Sequence, residues 1–251
     1  MLAYDARKAR TLDGFSVTKR AEESYARNLR RIARYIGDVV KGFAPDGLPT
    51  IDQSNTINAA LARYSDALTP WATSVAGLML KDVERRNTKA WESQAAEMGR
   101  ALGREIREAP TGLALQKRLS DQVTLIKSIP KDAGERVHAL TLQSLETGAR
   151  ADEIAREILR TQDVSASRAT LIARTEVSRT GTDLTRVRAE YIGSTHFEWV
   201  TSHDGDVRPS HKRLSGTVHR WDDPPECDPG HHALPGAIWN CRCRPRPIIP
   251  D

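Results

Sequence analysis

The chain has 251 residues, enough to bury a real core as one large domain or two modest ones. Hydrophobic residues make up 39%, aromatics 5%, and the mean hydropathy is -0.53. No stretch approaches the roughly 18 apolar residues a membrane span needs, and no membrane partner is expected. The net charge of +5 is concentrated, because residues 1–34 hold nine Lys/Arg against four Asp/Glu and the remainder is balanced.

Met1 to Lys8 has a basic flank but no apolar run behind it, so no signal peptide is expected and the protein should stay in the cytoplasm where it is made. From about Val17 to Phe43, Tyr25, Leu29, Ile32, Ile36, Val39 and Phe43 alternate at spacings of four and three and predict one helical stripe, with Ser16 as N-cap. Ala44-Pro45-Asp46-Gly47-Leu48-Pro49 breaks it. A second helix is predicted from Asp52 to Leu68. A third starts on Thr69 and Pro70 and extends to about Ala109, burying Trp71, Val75, Leu78, Trp91, Ala95, Met98, Leu102 and Ile106. Further helices are predicted at about 113–128, 131–147 (opened by Pro130), 151–160 and 168–191.

After Ile192-Gly193 the pattern changes. Thr195 to Ser202 alternates, with Phe197, Trp199 and Thr201 on one face, and predicts a strand; Asp204-Gly205 is a turn signal. The rest is rich in Pro, Gly, His, Cys and Trp without helical period. The expected fold is mainly α, a multi-helix N-terminal body over 1–129 followed by a small α+β module over 130–251 that a zinc ion would staple.

The basic residues Arg7, Lys8, Arg10, Lys19, Arg20, Arg27, Arg30, Arg31 and Arg34 form a surface suited to nucleic acid or an acidic protein face; the plainer alternative is the solvated side of a helix. The three cysteines, Cys227, Cys241 and Cys243, all lie in the last 25 residues. An odd number in a cytosolic chain argues against a disulfide framework, and the nearby histidines keep a metal site open.

The informative segments are Ala173-Arg174-Thr175-Glu176 on a helix, then Trp199, Asp204, Asp206-Val207-Arg208-Pro209-Ser210-His211 and Leu214-Ser215-Gly216. The last runs from Leu234-Pro235-Gly236 to Asn240-Cys241-Arg242-Cys243. In this order they resemble the C-terminal domain of Mu F-like phage head morphogenesis proteins, over roughly 130–250. The resemblance implies a low-copy minor capsid protein of the virion, made in the host cytoplasm and built into the prohead. It implies contact with the portal and major capsid proteins and, in some members, with packaged double-stranded DNA.

Two cysteines two apart in extended backbone point to one side, where a mutual disulfide would be strained but shared ligation of zinc is reasonable. His211 and one of His219, Cys227, His231 or His232 would complete a tetrahedral set; packed, metal-free residues are the alternative. Many relatives carry Cys-x-x-Cys upstream and a His before the closing pair. Here those positions read Arg208-Pro-Ser-His211 and Ile238, so the resemblance implies His211, Cys241 and Cys243 and leaves the fourth ligand unassigned.

Arg174 and Glu176, two apart on a helix, face different directions, and Arg174 is expected to tie the helix to Asp204 or Asp206. Arg208 suits a carboxylate interface. Trp199, Trp221 and Trp239 read as core or platform residues, with base stacking as the lesser alternative.

His231-His232 with Asn240 invites comparison with a His-Asn-His nuclease, but no histidine follows Asn240, and no Walker or Gly-x-Ser-x-Gly motif occurs. The expected role is therefore structural and non-enzymatic, with non-specific binding of DNA phosphates. The alternatives are a metal-dependent nuclease or transferase carried by the C-terminal module, and an adaptor whose zinc knuckle binds a protein.

Overall fold

The structure, a computed structural model, describes residues 10–11, 19–97, 103–147, 151–202 and 205–249. It is mainly α, with a small strand-bearing C-terminal module. The described residues of Glu22–Leu78 and Leu119–Ala173 form one compact unit, and those of Met1–Ala21, Met79–Arg118 and Arg174–Asp251 form another.

The helical unit draws on α1 (Lys19–Phe43), α2 (Ile51–Ala67), the start of α3 (Thr69–Glu97), most of α5 (Thr111–Thr147), α6 (Ala151–Leu159) and the start of α7 (Thr161–Tyr191). On α1 the stripe Tyr25, Leu29, Ile32 and Ile36 is fully buried, and Tyr25 donates its hydroxyl proton to Gln122 at 2.8 Å. Val40 and Ala44 are also buried, whereas Phe43 is 39% exposed. The spacing keeps Phe43 in line with Tyr25, so its exposure belongs to the last residue of the helix and not to a rotation of the stripe.

Thr50 caps α2 in a reciprocal capping box with Gln53. On α3, Leu78 is 65% exposed, while Val75 and Ala76 are buried beside it. The buried face of α3 runs through Ala72, Ala76, Met79 and Val83, to one side of the expected stripe. Met98 and Leu102 lie outside the described residues, as does Ser16.

Pro130 sits inside α5 and does not divide it, contrary to the expectation of two helices. Proline removes one backbone donor and crowds the preceding turn. The group that loses its donor is the Ile126 carbonyl; the neighbouring Lys127 carbonyl accepts a hydrogen bond from the Ser65 hydroxyl at 2.8 Å. The α7 helix begins at Thr161, ahead of the predicted 168.

The second unit contains the rest of α3 and α7, α4 (Gly103–Glu108), and a four-stranded antiparallel sheet in the order β1-β6-β2-β3. The strands are β1 (Arg10–Thr11), β2 (His196–Val200), β3 (Val218–Arg220) and β6 (Arg244–Ile249). A short helix, α8 (Pro209–Leu214), and a two-stranded pair, β4 (Glu226–Asp228) with β5 (His231–His232), complete it. The C-terminal stretch that shows no period in sequence therefore holds regular structure, in pieces too short to display one.

Along β2, Phe197 and Trp199 are buried as alternation predicts, and they pair in register with Pro247 and Pro245 of β6. Pro245 and Pro247, two apart, turn their donor-less nitrogens to the same edge. Among the described residues β1 reaches only Ile248 and Ile249 there, so the prolines interrupt little pairing. Phe197, Trp199, Trp221, Trp91, Ile106, Ile249 and all three cysteines share one core cluster.

A buried cation fastens the helices of this unit. Arg188 of α7 is 3% exposed; it donates to Glu84 at 2.6 Å, to Thr88 at 2.9 Å and to Asn87, which in turn bonds Thr185. Removing the guanidinium strands a carboxylate and an amide. Arg188→Ala is expected to cost about 3 kcal/mol, the low end for breaking a buried charged pair, measured by urea unfolding. A loss under about 1 kcal/mol would show that the network contributes no more than an exposed pair.

Candidate functional site

Pro209 opens α8 at its first helical position, with Arg208 before it, and this fixes His211 one turn in. The ring is 2% exposed and edge-on to Trp199, with centroids 5.4 Å apart. Its Nδ1 lies 3.5 Å from the Sγ of Cys241 and 3.5 Å from the Sγ of Cys243. The three donor atoms lie within 4.8 Å of one another, and all three residues are buried.

Two turns deliver the cysteines. Gly236 has φ +81°, and a Cβ there would meet Ser178 Oγ at 2.7 Å, the Cys243 carbonyl at 2.8 Å and Thr182 Oγ1 at 3.0 Å. Glycine is thus required both by conformation and by space. Its N–H donates to the Cys241 sulfur at 3.3 Å. Asn240 adopts φ +62°, a left-handed conformation that asparagine tolerates better than most residues. Its N–H donates to Thr175 Oγ1 at 3.0 Å, and its side-chain oxygen accepts from Arg174 at 2.7 Å.

The helical Arg174-Thr175-Glu176 segment therefore works as a clamp on the cysteine loop. Glu176 is fully buried; it accepts from Arg179 at 2.6 Å and lies 3.8 Å from Arg118. Arg179 donates to the Ala237 carbonyl at 2.6 Å and sits 5.5 Å from the Trp239 ring centroid. Arg174 and Glu176 face different ways, as their spacing requires. Arg174 donates to Asn240, and Asp206 is 3.4 Å from Arg242. Asp204 lies outside the described residues.

Gly216, with φ +81°, donates to the Trp199 carbonyl at 2.8 Å and turns the chain from α8 into β3. Arg208 donates to the Trp239 carbonyl at 3.0 Å and lies 3.6 Å from Asp228. Trp199 and Trp221 are core residues, whereas Trp239 is 44% exposed.

Cys227 is buried in the same core but stands outside the triad, donating its thiol proton to the His231 carbonyl at 3.3 Å. His219 bonds Thr217, and His232 bonds the Pro224 carbonyl. Asp228 is the neighbour that the sequence pattern did not single out. It accepts from Ser210 at 2.9 Å and stands 3.8 Å from His211 Nε2, beyond hydrogen-bond length, so that nitrogen is buried without a bond.

The hydrogen bond from Cys243 lowers Cys241 to about 5, against the effect of burial and with help from His211 and the Cys243 and Gly236 amides. The same bond, together with burial, drives Cys243 well up. At neutral pH the pair holds one thiolate and one thiol beside an imidazole. Two sulfurs and one ring nitrogen are a donor set for a soft or borderline cation, and they can hold one here. The triad forms one wall of a cavity of about 390 Å³, also lined by Arg174, Arg208, Arg242 and Asp206.

Residues 135–246 match the family described as Phage Mu protein F like protein. Over these residues the chain is similar to that family. The matched segment holds every element of the triad and its clamp, from Arg174 to Cys243. No curated protein and no solved structure matches the chain. Among the basic residues, Arg20, Arg27, Arg30, Arg31 and Arg34, with Lys19, are exposed on α1, ahead of the Mu F-like region. Arg10 belongs to β1, and Arg7 and Lys8 lie outside the described residues.

The tightness of the Mu F-like turn at Gly236 is directly measurable. Gly230→Ala meets the same left-handed penalty, roughly 1–2 kcal/mol, in open space. Gly236→Ala adds a backbone clash and is expected to cost at least about 1 kcal/mol more in urea unfolding. Equal costs would show that the Cys243 carbonyl moves aside freely.

Proposed function

We propose that this chain is a non-enzymatic component of a tailed-phage head, located at the portal vertex, with its Mu F-like region closed by zinc and the basic face of α1 set against DNA. The family points to head morphogenesis, and the match over 135–246 is the observation that carries the reading. Among the described residues no helix is long and apolar enough to cross a membrane. Virions, portal protein and major capsid protein are the expected context and partners. Quantitative peptide mapping of purified particles tests this: the polypeptide should be present at low copy number, and its absence from intact particles would sink the proposal.

The distances support zinc. Zn–S and Zn–N bonds of about 2.3 and 2.0 Å at a tetrahedral angle separate sulfur and nitrogen by about 3.5 Å, the distance of His211 Nδ1 from each sulfur. One imidazole nitrogen makes one hydrogen bond at a time, so equal approach to two sulfurs suits a shared central ion. His211 and the two cysteines would hold it, and bound zinc would supply a rigid cross-link between α8 and the loop before β6. Elemental analysis of purified protein should find about one zinc per chain, lost in Cys241→Ser. A metal-free protein with an unchanged melting curve after zinc addition removes the staple.

For DNA, positions advance about 100° per residue around a helix. Arg20, Arg27, Arg30, Arg31 and Arg34 then fall within an arc of about 100°, opposite the buried Tyr25 and Ile32, with Glu23 and Asp38 also on the exposed side. Five phosphate contacts would lose roughly a few hundred-fold in affinity between 50 and 200 mM salt. Binding that ignores salt, or no binding at all, removes this role.

A second reading, a metal-dependent nuclease or transferase, is favoured by one observation: the triad offers three ligands and faces a cavity, and catalytic zinc sites keep an open position. Incubation with DNA and Zn²⁺ or Mg²⁺ separates the two readings, since cleavage would overturn the non-enzymatic assignment.

A further inference from the structure

His211 has one ring nitrogen that metal closure uses and one that it does not. Nδ1 faces the sulfurs of Cys241 and Cys243 at 3.5 Å, whereas Nε2 is buried and has no hydrogen-bond partner among the described residues. A buried polar atom left in this way is costly, and its surroundings show what would satisfy it. Oδ1 of Asp228 lies 3.8 Å from it. A bridging water, with two bonds of about 2.8 Å at a tetrahedral angle, needs its neighbours about 4.5 Å apart, so this gap suits a direct contact.

The carboxylate is brought to that place by two elements. Asp228 ends β4, whose pairing with β5 is irregular between Glu226 and Asp228, and irregularities of this kind re-aim side chains. Ser210, the residue before His211, donates to Asp228 Oδ1 at 2.9 Å, and Arg208 stands 3.6 Å from Oδ2. Helix α8 therefore holds the carboxylate from the same turn that carries the imidazole. One hydroxyl bond does not exhaust a carboxylate oxygen, which offers two lone-pair sites.

A neutral imidazole carries a single ring hydrogen. With the Nδ1 lone pair given to a cation, that hydrogen is on Nε2, and a buried N–H needs an acceptor. An ionised carboxylate can only accept. Bonding the second nitrogen in this way fixes the tautomer and orientation of the ring and makes the first nitrogen a stronger ligand. We propose that Asp228 is the positioning residue of the triad: it takes the Nε2–H of His211 and so holds Nδ1 as the ligand atom. The inference rests on the zinc reading above and adds to it a residue that acts through His211 without touching the metal.

Zinc affinity of the full chain, measured by competition with a chromophoric chelator, tests it. Asp228→Ala should weaken binding roughly 10- to 100-fold. Asp228→Asn, equal in size, keeps an acceptor oxygen without the charge and should fall between the two; it decides the matter if the alanine variant does not fold. A carboxylate that merely braced β4 against α8 would lower stability and leave the ring hydrogen alone. The second readout is therefore the His211 Nε2–H proton resonance of the zinc-loaded protein, which should lie far downfield in the wild type and shift upfield in Asp228→Asn. Wild-type protein that takes up no zinc overturns the staple and this inference together. Zinc bound equally by the wild type and every folded variant, or a ring resonance unmoved by Asp228→Asn, overturns this inference alone.

Discussion

The arrangement depends on holding two thiols and an imidazole within 4.8 Å of one another inside an apolar core. A loop between a turn and a strand does not reach that geometry unaided, since it must leave a buried thiolate in place and keep two residues at positive φ. The cost is offset by helix α7. Thr175 accepts the Asn240 amide, Arg174 holds the Asn240 side chain, Thr182 donates to the Pro235 carbonyl, and Arg179 donates to the Ala237 carbonyl. The loop is thereby fastened along two turns of one rigid element.

The same logic explains why the motif residues occur together. Glu176 is fully buried, and an ionised carboxylate in that position is costly unless paired. Arg179 and Arg118 surround it, and Arg179 carries the connection onward to the loop and to Trp239. A change at Glu176 would therefore act on the cysteines through Arg179, without touching them. On the opposite side, Pro209 and Ser210 set α8 so that His211 projects into the core, and Gly216 releases the chain into β3. Helix, loop and short helix converge on one point from three directions.

Much of this was legible in the sequence, and for identifiable reasons. Long helices announce themselves by periodicity, so α1 and α2 fall close to their expected ranges, and His211, Cys241 and Cys243 stand out by residue type and spacing. What escaped is non-local. Phe43 is exposed at the last residue of α1, and Leu78 faces outward because the buried face of α3 is the one bearing Ala72, Ala76, Met79 and Val83. Pro130 stays inside α5, in a turn that also takes a hydrogen bond from Ser65, 62 residues from Lys127. The strands β3, β4 and β5 are two or three residues long, too short for alternation to register. Asp228 carries no motif; only its strand brings it beside Ser210 and His211.

The fourth position of the triad is where structure and chemistry meet. Cys227 is the natural fourth sulfur by composition, yet its thiol is directed to the His231 carbonyl, and burial beside Asp228 raises its pKa. Its sulfur is also not among the three donor atoms that lie within 4.8 Å of one another. The three donors line the cavity that Arg174, Arg208, Arg242 and Asp206 also line, so a fourth ligand can reach them from that side without any further residue of the core.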